Sequence, residues 1–199
     1  MTRDELTELH YIIAVANVAS VLEHGIVSHN EARKLEHTSV AMTEIQDIRK
    51  NVVVPNGRAL HDYVNLYICA RNPMMYKRRG QHAELCVLRV STDVLDLPKV
   101  VVTDGNAAST LRGYARFAAA PDGLSIVDRE LTFARYWNDA DLFAKYRKAC
   151  AKCAEVLIPV PVTLNYITGA YVSCKENLEA WPQLGFGIEA TLNSDLFFR

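Results

Sequence analysis

The sequence lacks the short motifs that mark the most common nucleotide and hydrolase sites. Neither G-x-G-x-x-G nor G-x-x-x-x-G-K-[ST] occurs, so the two common glycine-rich phosphate cradles are excluded. The G-x-S-x-G and H-E-x-x-H motifs are also missing, which removes the usual signatures of serine hydrolases and zinc proteases. Any chemistry in this chain must therefore come from residues that lie far apart in the sequence.

Long apolar runs are missing as well. No segment is long and hydrophobic enough to predict a membrane span, and the opening residues, MTRDELTELH, contain no apolar leader. We therefore expect a cytoplasmic protein with no membrane contact.

The chain has only five cysteines, an odd number. An odd count without a leader predicts reduced thiols and no disulfide framework. Cys150 and Cys153 form a C-x-x-C pair, but no second pair follows at the spacing of zinc ligands. Because alanines surround both cysteines, the pattern favours small buried residues over a metal or redox site.

The composition is that of an ordinary globular protein. The chain has 199 residues, of which 50% are hydrophobic and 23% are charged, and its formal net charge is −1. We therefore expect one domain over residues 1–199, with a sizeable core, and a monomer. The near-neutral total hides basic clusters, which indicate either a nucleic-acid contact or an ordinary solvated surface. They are Arg71 with Lys77, Arg78 and Arg79, and then Arg112, Arg116, Arg129 and Arg135.

Hydrophobic periodicity and turn residues predict an α+β protein. Short helices dominate the start, strands follow from residue 64, and no regular alternation of strand and helix occurs. This order favours a central, mostly antiparallel or mixed sheet with short flanking helices over a doubly wound fold. The predicted strands cover 9–13, 64–69, 83–90, 99–103, 154–159, 169–173 and 185–190, and the later helices cover 128–136, 139–150 and 175–181.

Capping residues set the expected bounds of the early helices. Asn17 is predicted to cap the first helix, which Gly25 ends, and Asn30 is predicted to cap a second helix. Thr43, with Gln46 three residues later, predicts a capping box at the start of the third helix.

Three features could carry chemistry. His10 and Tyr11 lie on the first predicted strand, where they are either functional or ordinary residues at the end of a sheet. Arg49 lies beside the apolar face of a helix, and it either binds a ligand or extends its guanidinium to water. Glu155 begins an apolar strand, and a buried carboxylate there either pairs with a cation or serves binding and catalysis.

Together these residue types suit chemistry at a glycosidic carbon. A positively charged leaving group such as nicotinamide departs through an oxocarbenium-like transition state, which a nearby carboxylate stabilises. The same carboxylate can accept a proton from the incoming nucleophile. An arginine can hold the diphosphate of a dinucleotide through paired hydrogen bonds. Composition alone does not select this reaction from others.

Several blocks of sequence, in a fixed order, resemble one family. They are LHYI and NVASVLEHGIVSHN near the start, then IQDIRK and LHDYVNLYICARNPMMY, then VVVTDGNAAS, and finally RYWNDAD and AEVLIP. Across residues 9–160 this series resembles the DarT family of bacterial toxins, which are DNA ADP-ribosyltransferases. Each block alone is a weak signal, whereas the ordered set is highly specific.

The resemblance implies a compact ADP-ribosyltransferase fold related to that of poly(ADP-ribose) polymerases, and transfer of ADP-ribose from NAD to a base in single-stranded DNA. Glu155 matches the catalytic glutamate of the family, and Arg49 matches an arginine that contacts NAD and assists proton transfer. Residues 33–51 would form the NAD-binding element, and residues 104–155 would carry the loop that recognises the base. The resemblance places further NAD contacts at His10, Tyr11, Ile12, Ser20, Ser28 and Tyr67, and it implies no metal.

The start of the chain departs from the thymine-modifying members of the family. Those members have the order Tyr-His-Ile-Thr, whereas this chain has His10, Tyr11, Ile12 and Ile13. Successive side chains of a strand point to opposite faces, so His10 and Tyr11 cannot both occupy the same site. This order resembles the guanine-directed branch of the family, and we therefore expect guanine as the target base.

The resemblance also implies partners. Single-stranded DNA needs basic groups and aromatic stacking surfaces, and the expected contacts are Arg71, Met74, Tyr114, Tyr136 and Trp137, beside the basic clusters. A cognate antitoxin that removes ADP-ribose, either a macrodomain protein or a NADAR-type hydrolase, is also implied. The alternatives are the same transferase chemistry on thymine, RNA or protein, and a catalytically inactive nucleotide-binding module.

Overall fold

The computed structural model of the protein describes residues 1–109 and 115–199. Arg112 and Tyr114, both expected near the DNA, lie outside the described residues. None of the described helices is long and apolar enough to cross a membrane. These helices are α1 (Val18–His24), α2 (His29–Ala32), α3 (Thr43–Arg49), α4 (Pro73–Arg78), α5 (Arg129–Phe133), α6 (Leu142–Ala151) and α7 (Lys175–Ala180).

The strands of the described residues form one sheet in the order β5-β4-β6-β2-β1-β3-β7-β8. Every neighbouring pair is antiparallel except β7 and β8, which are parallel. The sheet is therefore mixed and mostly antiparallel, and the predicted α+β class is confirmed. The strands are β1 (Leu9–Ala14), β2 (Val64–Tyr67), β3 (Leu85–Val90), β4 (Val101–Thr103), β5 (Phe117–Ala119), β6 (Glu155–Ile158), β7 (Ile167–Val172) and β8 (Ala190–Leu192).

The pairing of the three central strands brings distant residues into one row. His10 of β1 lies opposite Tyr67 of β2, and Tyr67 lies opposite Glu155 of β6. Directly opposite residues of antiparallel strands project to the same face of the sheet. The fold thus places Glu155 on the same face as two residues that are far from it in the sequence.

Strand β6 is buried along its whole length. Val156 and Ile158 pack into one hydrophobic cluster, whereas Leu157 packs into a different one. Because side chains alternate along a strand, Glu155 shares the face of Leu157 and enters a buried environment. The apolar strand predicted at 154–159 is therefore confirmed over Glu155–Ile158, and its first residue is a buried acid.

The first helix ends as the sequence predicts, but its start differs. Gly25 has φ of 75°, and a side chain there would bring a Cβ within 2.6 Å of the Val162 carbonyl oxygen. Asn17 occupies the N-cap position without making a capping hydrogen bond. Its amide instead donates to the Thr38 carbonyl (2.7 Å) and accepts from the Thr38 N–H (2.9 Å). The side chain therefore ties α1 to the segment before α3.

The other two predicted caps are wrong. Ser28 caps α2 by accepting a hydrogen bond from a backbone N–H of the first turn (3.3 Å). Asn30, predicted for that role, donates instead to Asp62 Oδ1 (2.7 Å). Thr43 is already the first helical residue of α3, and Met42 precedes it without a side-chain cap. Neighbouring residues of equal capping ability explain the first error, since the sequence alone cannot choose between them.

Two strands near the edges of the sheet also differ from the prediction. Strand β5 (Phe117–Ala119) was missed because its alanines run into the turn-like sequence PDG. The strand predicted at 185–190 is wrong, since Gly185 and Gly187 both have φ near 66° to 67° and only Ala190–Leu192 pairs. Positive φ at two alternate positions is incompatible with an extended strand.

Candidate active site

The centre of the candidate site is a buried, fully partnered carboxylate. Glu155 is only 1% exposed, and a charge at that depth needs hydrogen-bond donors around it. The Nη1 and Nη2 atoms of Arg49 donate to Oε1 (3.1 Å) and Oε2 (2.9 Å), respectively. The Asn65 amide donates to Oε2 (2.6 Å), and the Ala107 N–H donates to Oε1 (3.3 Å). Each carboxylate oxygen therefore accepts two hydrogen bonds.

Arg49, the last residue of α3, is 7% exposed and faces Glu155 in the two-bond geometry that a guanidinium favours. Burial works to lower the pKa of Arg49, but the charge and hydrogen bonds of Glu155 outweigh burial and raise it. The guanidinium is thus held as a cation. Removing either partner would leave a buried charge without compensation.

Thr103 fixes the backbone around the carboxylate. Its hydroxyl accepts from the Glu155 N–H (3.1 Å) and donates to the Gly105 carbonyl (2.7 Å). Gly105 packs so closely on α6 that a Cβ there would lie 2.6 Å from Cys150 Sγ. These contacts hold the turn after β4 in the position from which the Ala107 N–H reaches Glu155.

An open cavity of about 280 Å³ lies against this ion pair. Arg49 and Asn65 line the cavity, whereas Glu155 lies behind their side chains. Residues 37–42 form another part of the wall, inside the predicted NAD-binding element 33–51. A ligand in the cavity would therefore meet the arginine and the asparagine before the carboxylate.

Five of the predicted site residues lie on the cavity wall, and one of them pairs directly with the strand of Glu155. Tyr67 is opposite Glu155 across β2 and β6. Burial and then the charge of Glu155 raise the pKa of Tyr67, so its hydroxyl stays neutral. The predicted residues that line the cavity are Tyr11, Ile12, Arg49, Tyr67 and Met74.

Three of the predicted NAD contacts lie elsewhere. The His10 Nε2 atom is 3.2 Å from Glu8 Oε1, and the imidazole is not part of the cavity wall. Ser28 lines a second cavity, of about 510 Å³, and Ser20 lines neither. The roles of these residues stay predictions that the geometry does not support. The His10 ring lies away from the cavity because it contacts the carboxylate of Glu8, two residues earlier.

That carboxylate belongs to a separate polar cluster. Burial alone would raise the pKa of Glu8, but hydrogen bonds with His10, Arg89 and Tyr171 outweigh burial and lower the pKa to about 2. The Arg89 and Tyr171 contacts measure 2.7 and 2.8 Å. His10 thus belongs to this second cluster of charges on the sheet.

The three remaining predicted DNA contacts lie outside the cavity, where the C-terminal segment packs. Arg71 donates to the carbonyls of Arg135 (2.6 Å) and Asp195 (3.0 Å), so its guanidinium is tied up as a structural brace. Trp137 packs edge-on against other aromatic rings, and Tyr136 is 66% exposed. Only Tyr136 therefore presents most of its ring to solvent.

Sequence reasoning missed four groups of the site. Asn65 could have been predicted from the sequence, because side chains alternate between the two faces of a strand and VNLY therefore places Asn65 on the same face as Tyr67. The Ala107 N–H carries no side-chain signal at all. His29 and His61, which line the cavity, lie in a four-residue helix and a three-residue 3₁₀ turn, which are too short for periodicity to predict the surfaces that face each other.

The cysteines pack as small residues in the described part of the chain. Cys153 is 7% exposed, and burial raises the pKa of its thiol. The Cys150 carbonyl accepts a hydrogen bond from the Asn106 N–H (3.1 Å). Over residues 1–109 and 115–199, no three His, Cys, Asp or Glu side chains converge as metal ligands would.

Comparison with known proteins gives a consistent assignment. Residues 10–189 match the sequence model of a family described as DarT, ssDNA thymidine ADP-ribosyltransferase. A Thermosipho africanus protein, a DNA ADP-ribosyl transferase fused to a DNA ADP-ribosyl glycohydrolase, is 32% identical over 85% of this chain and 43% of its own length. A DNA ADP-ribosyl transferase from Thermus sp. is 31% identical over 69% of this chain and 70% of its own length. The chain thus spans less than half of the fusion protein.

Solved structures agree with the sequence comparison. The Thermosipho africanus DarTG structure in complex with ADP-ribose aligns with a TM-score of 0.82 and 27% identity, covering 96% of this chain and 51% of that one. The Thermus sp. 2.9 DarT structure with ADP-ribosylated ssDNA aligns with a TM-score of 0.84 and 23% identity, covering 99% of both chains. At that identity the second likeness supports the fold alone. The ADP-ribosyltransferase fold is therefore confirmed, and the chain belongs to the DarT family.

Proposed function

We propose that this protein transfers ADP-ribose from NAD to a nucleobase in single-stranded DNA and releases nicotinamide. The observation that carries the proposal is the buried Arg49–Glu155 pair against an open cavity, in a chain of the DarT family. An inactive nucleotide-binding module would not need to keep this ion pair, whose desolvation is costly.

The chemistry would take place at C1′ of the nicotinamide ribose. The C1′–N bond breaks and its electron pair neutralises the pyridinium, which leaves an oxocarbenium-like sugar. Glu155 stabilises this developing cation, and a nitrogen of the DNA base then forms the new bond to C1′. The proton released from the base passes to the carboxylate.

Arg49 and Asn65 hold the carboxylate in position for these steps. Both line the cavity and both donate to Glu155, so NAD entering the site would compete for their hydrogen bonds. Arg49 would then contact both NAD and the carboxylate. Tyr11, Ile12 and Tyr67 supply the remaining predicted NAD contacts on the wall.

The DNA would approach over the aromatic group formed by Tyr76, Trp137 and Phe198. Their ring centroids lie 5.1 to 5.8 Å apart in edge-on contacts, and Arg79 stacks over Tyr76 at 4.1 Å. Met74, on the same helix as Tyr76, lines the cavity, so this surface leads to the site. Aromatic faces beside arginines suit the bases and phosphates of a single strand. Tyr136 would extend this surface.

We propose guanine as the base that is modified. The support is the order His10-Tyr11-Ile12-Ile13, which places an isoleucine on the cavity wall where the thymine-modifying members have threonine. Thymine is the second candidate, because the matching family is described as acting on thymidine.

We also propose that the protein is the toxin of a toxin–antitoxin pair. The supporting observation is that the Thermosipho africanus relative joins its transferase to a DNA ADP-ribosyl glycohydrolase in one chain. A hydrolase that removes ADP-ribose from DNA would then be the expected partner of this chain.

Mass spectrometry of single-stranded oligonucleotides incubated with NAD tests the proposal. A set of matched oligonucleotides, each lacking one of the four bases, should all gain one ADP-ribose except the oligonucleotide that lacks guanine. Loss of labelling only without thymine would overturn the choice of base and leave the reaction intact. Matched RNA and duplex DNA serve as controls for the class of nucleic acid. Unmodified oligonucleotides together with intact NAD would refute the transferase activity.

A further inference from the structure

Two histidines form a stacked pair on the wall of the cavity. The ring centroids of His29 and His61 lie 4.1 Å apart with an angle of 33° between the ring planes. His61 belongs to a short 3₁₀ turn before β2. Both rings line the same cavity as Arg49, and neither is among the hydrogen-bond donors to Glu155.

His61 has a ring nitrogen whose hydrogen-bonding capacity is unsatisfied among the described residues. The residue is 9% exposed, and its Nε2 atom has no hydrogen-bond partner among the described residues. A buried polar atom without a partner costs about 1–3 kcal/mol, so such atoms are rare unless a ligand satisfies them.

The charges around the pair are mostly positive. Burial, Arg33, His37 and Arg49 lower the pKa of His29. Burial, His29, Arg49 and Arg33 lower the pKa of His61 to about 4, against the opposing effect of Asp62. Asp62 is the acid that raises the pKa of His61, and its Oδ1 accepts a hydrogen bond from Asn30. Burial and the positive groups therefore outweigh Asp62, the one acid that acts on the pair among the described residues.

We propose that His29 and His61 form the subsite for the diphosphate of NAD, and that the pair takes up a proton when this anion binds. The inference rests on the proposed function, because it names the part of NAD that this wall recognises. A diphosphate oxygen would satisfy His61 and add negative charge beside these positive groups.

The direction of the pH effect follows from the charges. In the free protein both imidazoles are neutral near neutral pH, and a bound dianion raises their proton affinity. The complex therefore holds more protons than the free protein, and NAD binds more tightly as the pH falls. Two cationic rings at this separation repel each other, so the pair takes up at most one proton.

Isothermal titration calorimetry with carba-NAD, a non-cleavable analogue, measures this coupling on the full chain. Titrations at about pH 6 and about pH 7.5, in buffers of different ionisation enthalpy, give the number of protons bound. We expect uptake of up to one proton, and a Kd that falls by roughly three- to tenfold between the higher and the lower pH. Nicotinamide riboside, which has no diphosphate, should show no proton uptake.

Single substitutions assign the proton to the pair. His61→Asn and His29→Asn should each weaken carba-NAD binding at pH 6 and abolish most of the pH dependence. His24→Asn alters a histidine of α1 outside this cavity and should behave as wild type. His37→Asn should keep the proton uptake, since His37 lies outside the stacked pair. Circular dichroism checks that each variant is folded.

The possible outcomes distinguish failure of the histidine inference from failure of the proposed function. If carba-NAD binds with the same Kd at both pH values and no proton is taken up, the histidine inference is wrong and the proposed function stands. Proton uptake that disappears only in His37→Asn would also overturn the inference. If carba-NAD does not bind wild-type protein at any pH, the proposed function itself fails.

Discussion

The two sides of the cavity differ in whether the protein itself compensates their charged and polar groups. On one side Glu155 is surrounded by four donors, so its charge is matched before any ligand arrives. On the other side His29 and His61 face additional cations, and a buried imidazole nitrogen has no partner within the described residues. In the proposed function the first arrangement would be preorganised for reaction, whereas the second would be completed by an anion.

This difference separates the catalytic role from the binding role. A matched ion pair costs little reorganisation during reaction, which is what transition-state stabilisation requires. An unmatched cluster gains most from a ligand, because the ligand removes both repulsion and an unsatisfied polar atom. Substitutions on the Glu155 side should therefore affect rate and stability, and substitutions on the histidine side should affect affinity and its pH dependence.

The largest expected effect comes from Glu155→Gln. This change keeps the shape but removes the charge that stabilises the oxocarbenium ion and accepts the proton, so kcat for ADP-ribosyl transfer should fall by about 10³-fold or more. Arg49 would lose its counter-ion, and the protein should lose about 3 kcal/mol of stability. Turnover of NAD and urea unfolding measure the two effects.

Glu179→Gln is the matched control, because Glu179 is exposed on α7 far along the chain from the site. It should retain wild-type rate and stability. A Glu155→Gln variant with full transfer activity would show that the Glu155 carboxylate has only a structural role. The proposed distinction between a catalytic side and a binding side of the cavity would then be wrong.

The next effects come from the donors to Glu155. Arg49→Lys keeps the positive charge but cannot make two parallel hydrogen bonds, and we expect kcat to fall by about 10²-fold. Asn65→Ala removes one donor to a buried carboxylate, and we expect a fall in kcat of about tenfold with a smaller change in KM. Asn51→Ala, an exposed amide just after α3, is the control for the second change. A change in KM alone would make Asn65 a binding residue.

Much of this architecture could be predicted from the sequence, for physical reasons. Strands such as β6 are read from apolar runs, and α1 ends at a glycine whose conformation and tight packing admit no side chain. Glu155 was identifiable because a carboxylate that opens an apolar strand needs a reason to be there. The resemblance of the sequence around Glu155 to a family motif then predicted a catalytic role for Glu155.

Other parts of the site could not be predicted, because they depend on contacts between distant segments. The Ala107 N–H reaches Glu155 only because Thr103 and Gly105 shape the turn after β4. The stacking of His29 on His61 requires α2 to meet the 3₁₀ turn before β2, and neither element is long enough to show a periodic pattern. The family resemblance predicts an NAD contact for His10, whereas the Nε2 atom of its ring lies 3.2 Å from Glu8 Oε1.

A third prediction concerns the DNA surface, which should be independent of both sides of the cavity. Trp137→Ala removes one ring from the group with Tyr76 and Phe198, and we expect the Kd for a single-stranded oligonucleotide to rise about tenfold. Fluorescence anisotropy with a labelled oligonucleotide measures this change. Phe143→Ala, at an 84% exposed ring on α6, should leave the Kd unchanged. Equal losses in both variants would mean that no defined stacking surface exists.

The smallest expected effect is on stability without any ligand. The pKa of His61 is about 4 in the folded protein, below the value of 6.5 for a free histidine, so the unfolded chain binds the proton first. Between these two pH values stability should therefore fall as the pH falls. Glu8, whose pKa is about 2 in the folded protein and 4.5 in the unfolded chain, adds to this slope below about pH 5.5 and does so equally in wild type and in the histidine variants. Urea midpoints at pH 7 and pH 5 should differ less in His61→Asn than in wild type, and His24→Asn should keep the wild-type difference. An unchanged slope in His61→Asn would mean that His61 is not held neutral by its surroundings, and the contrast with the matched Glu155 side would be lost.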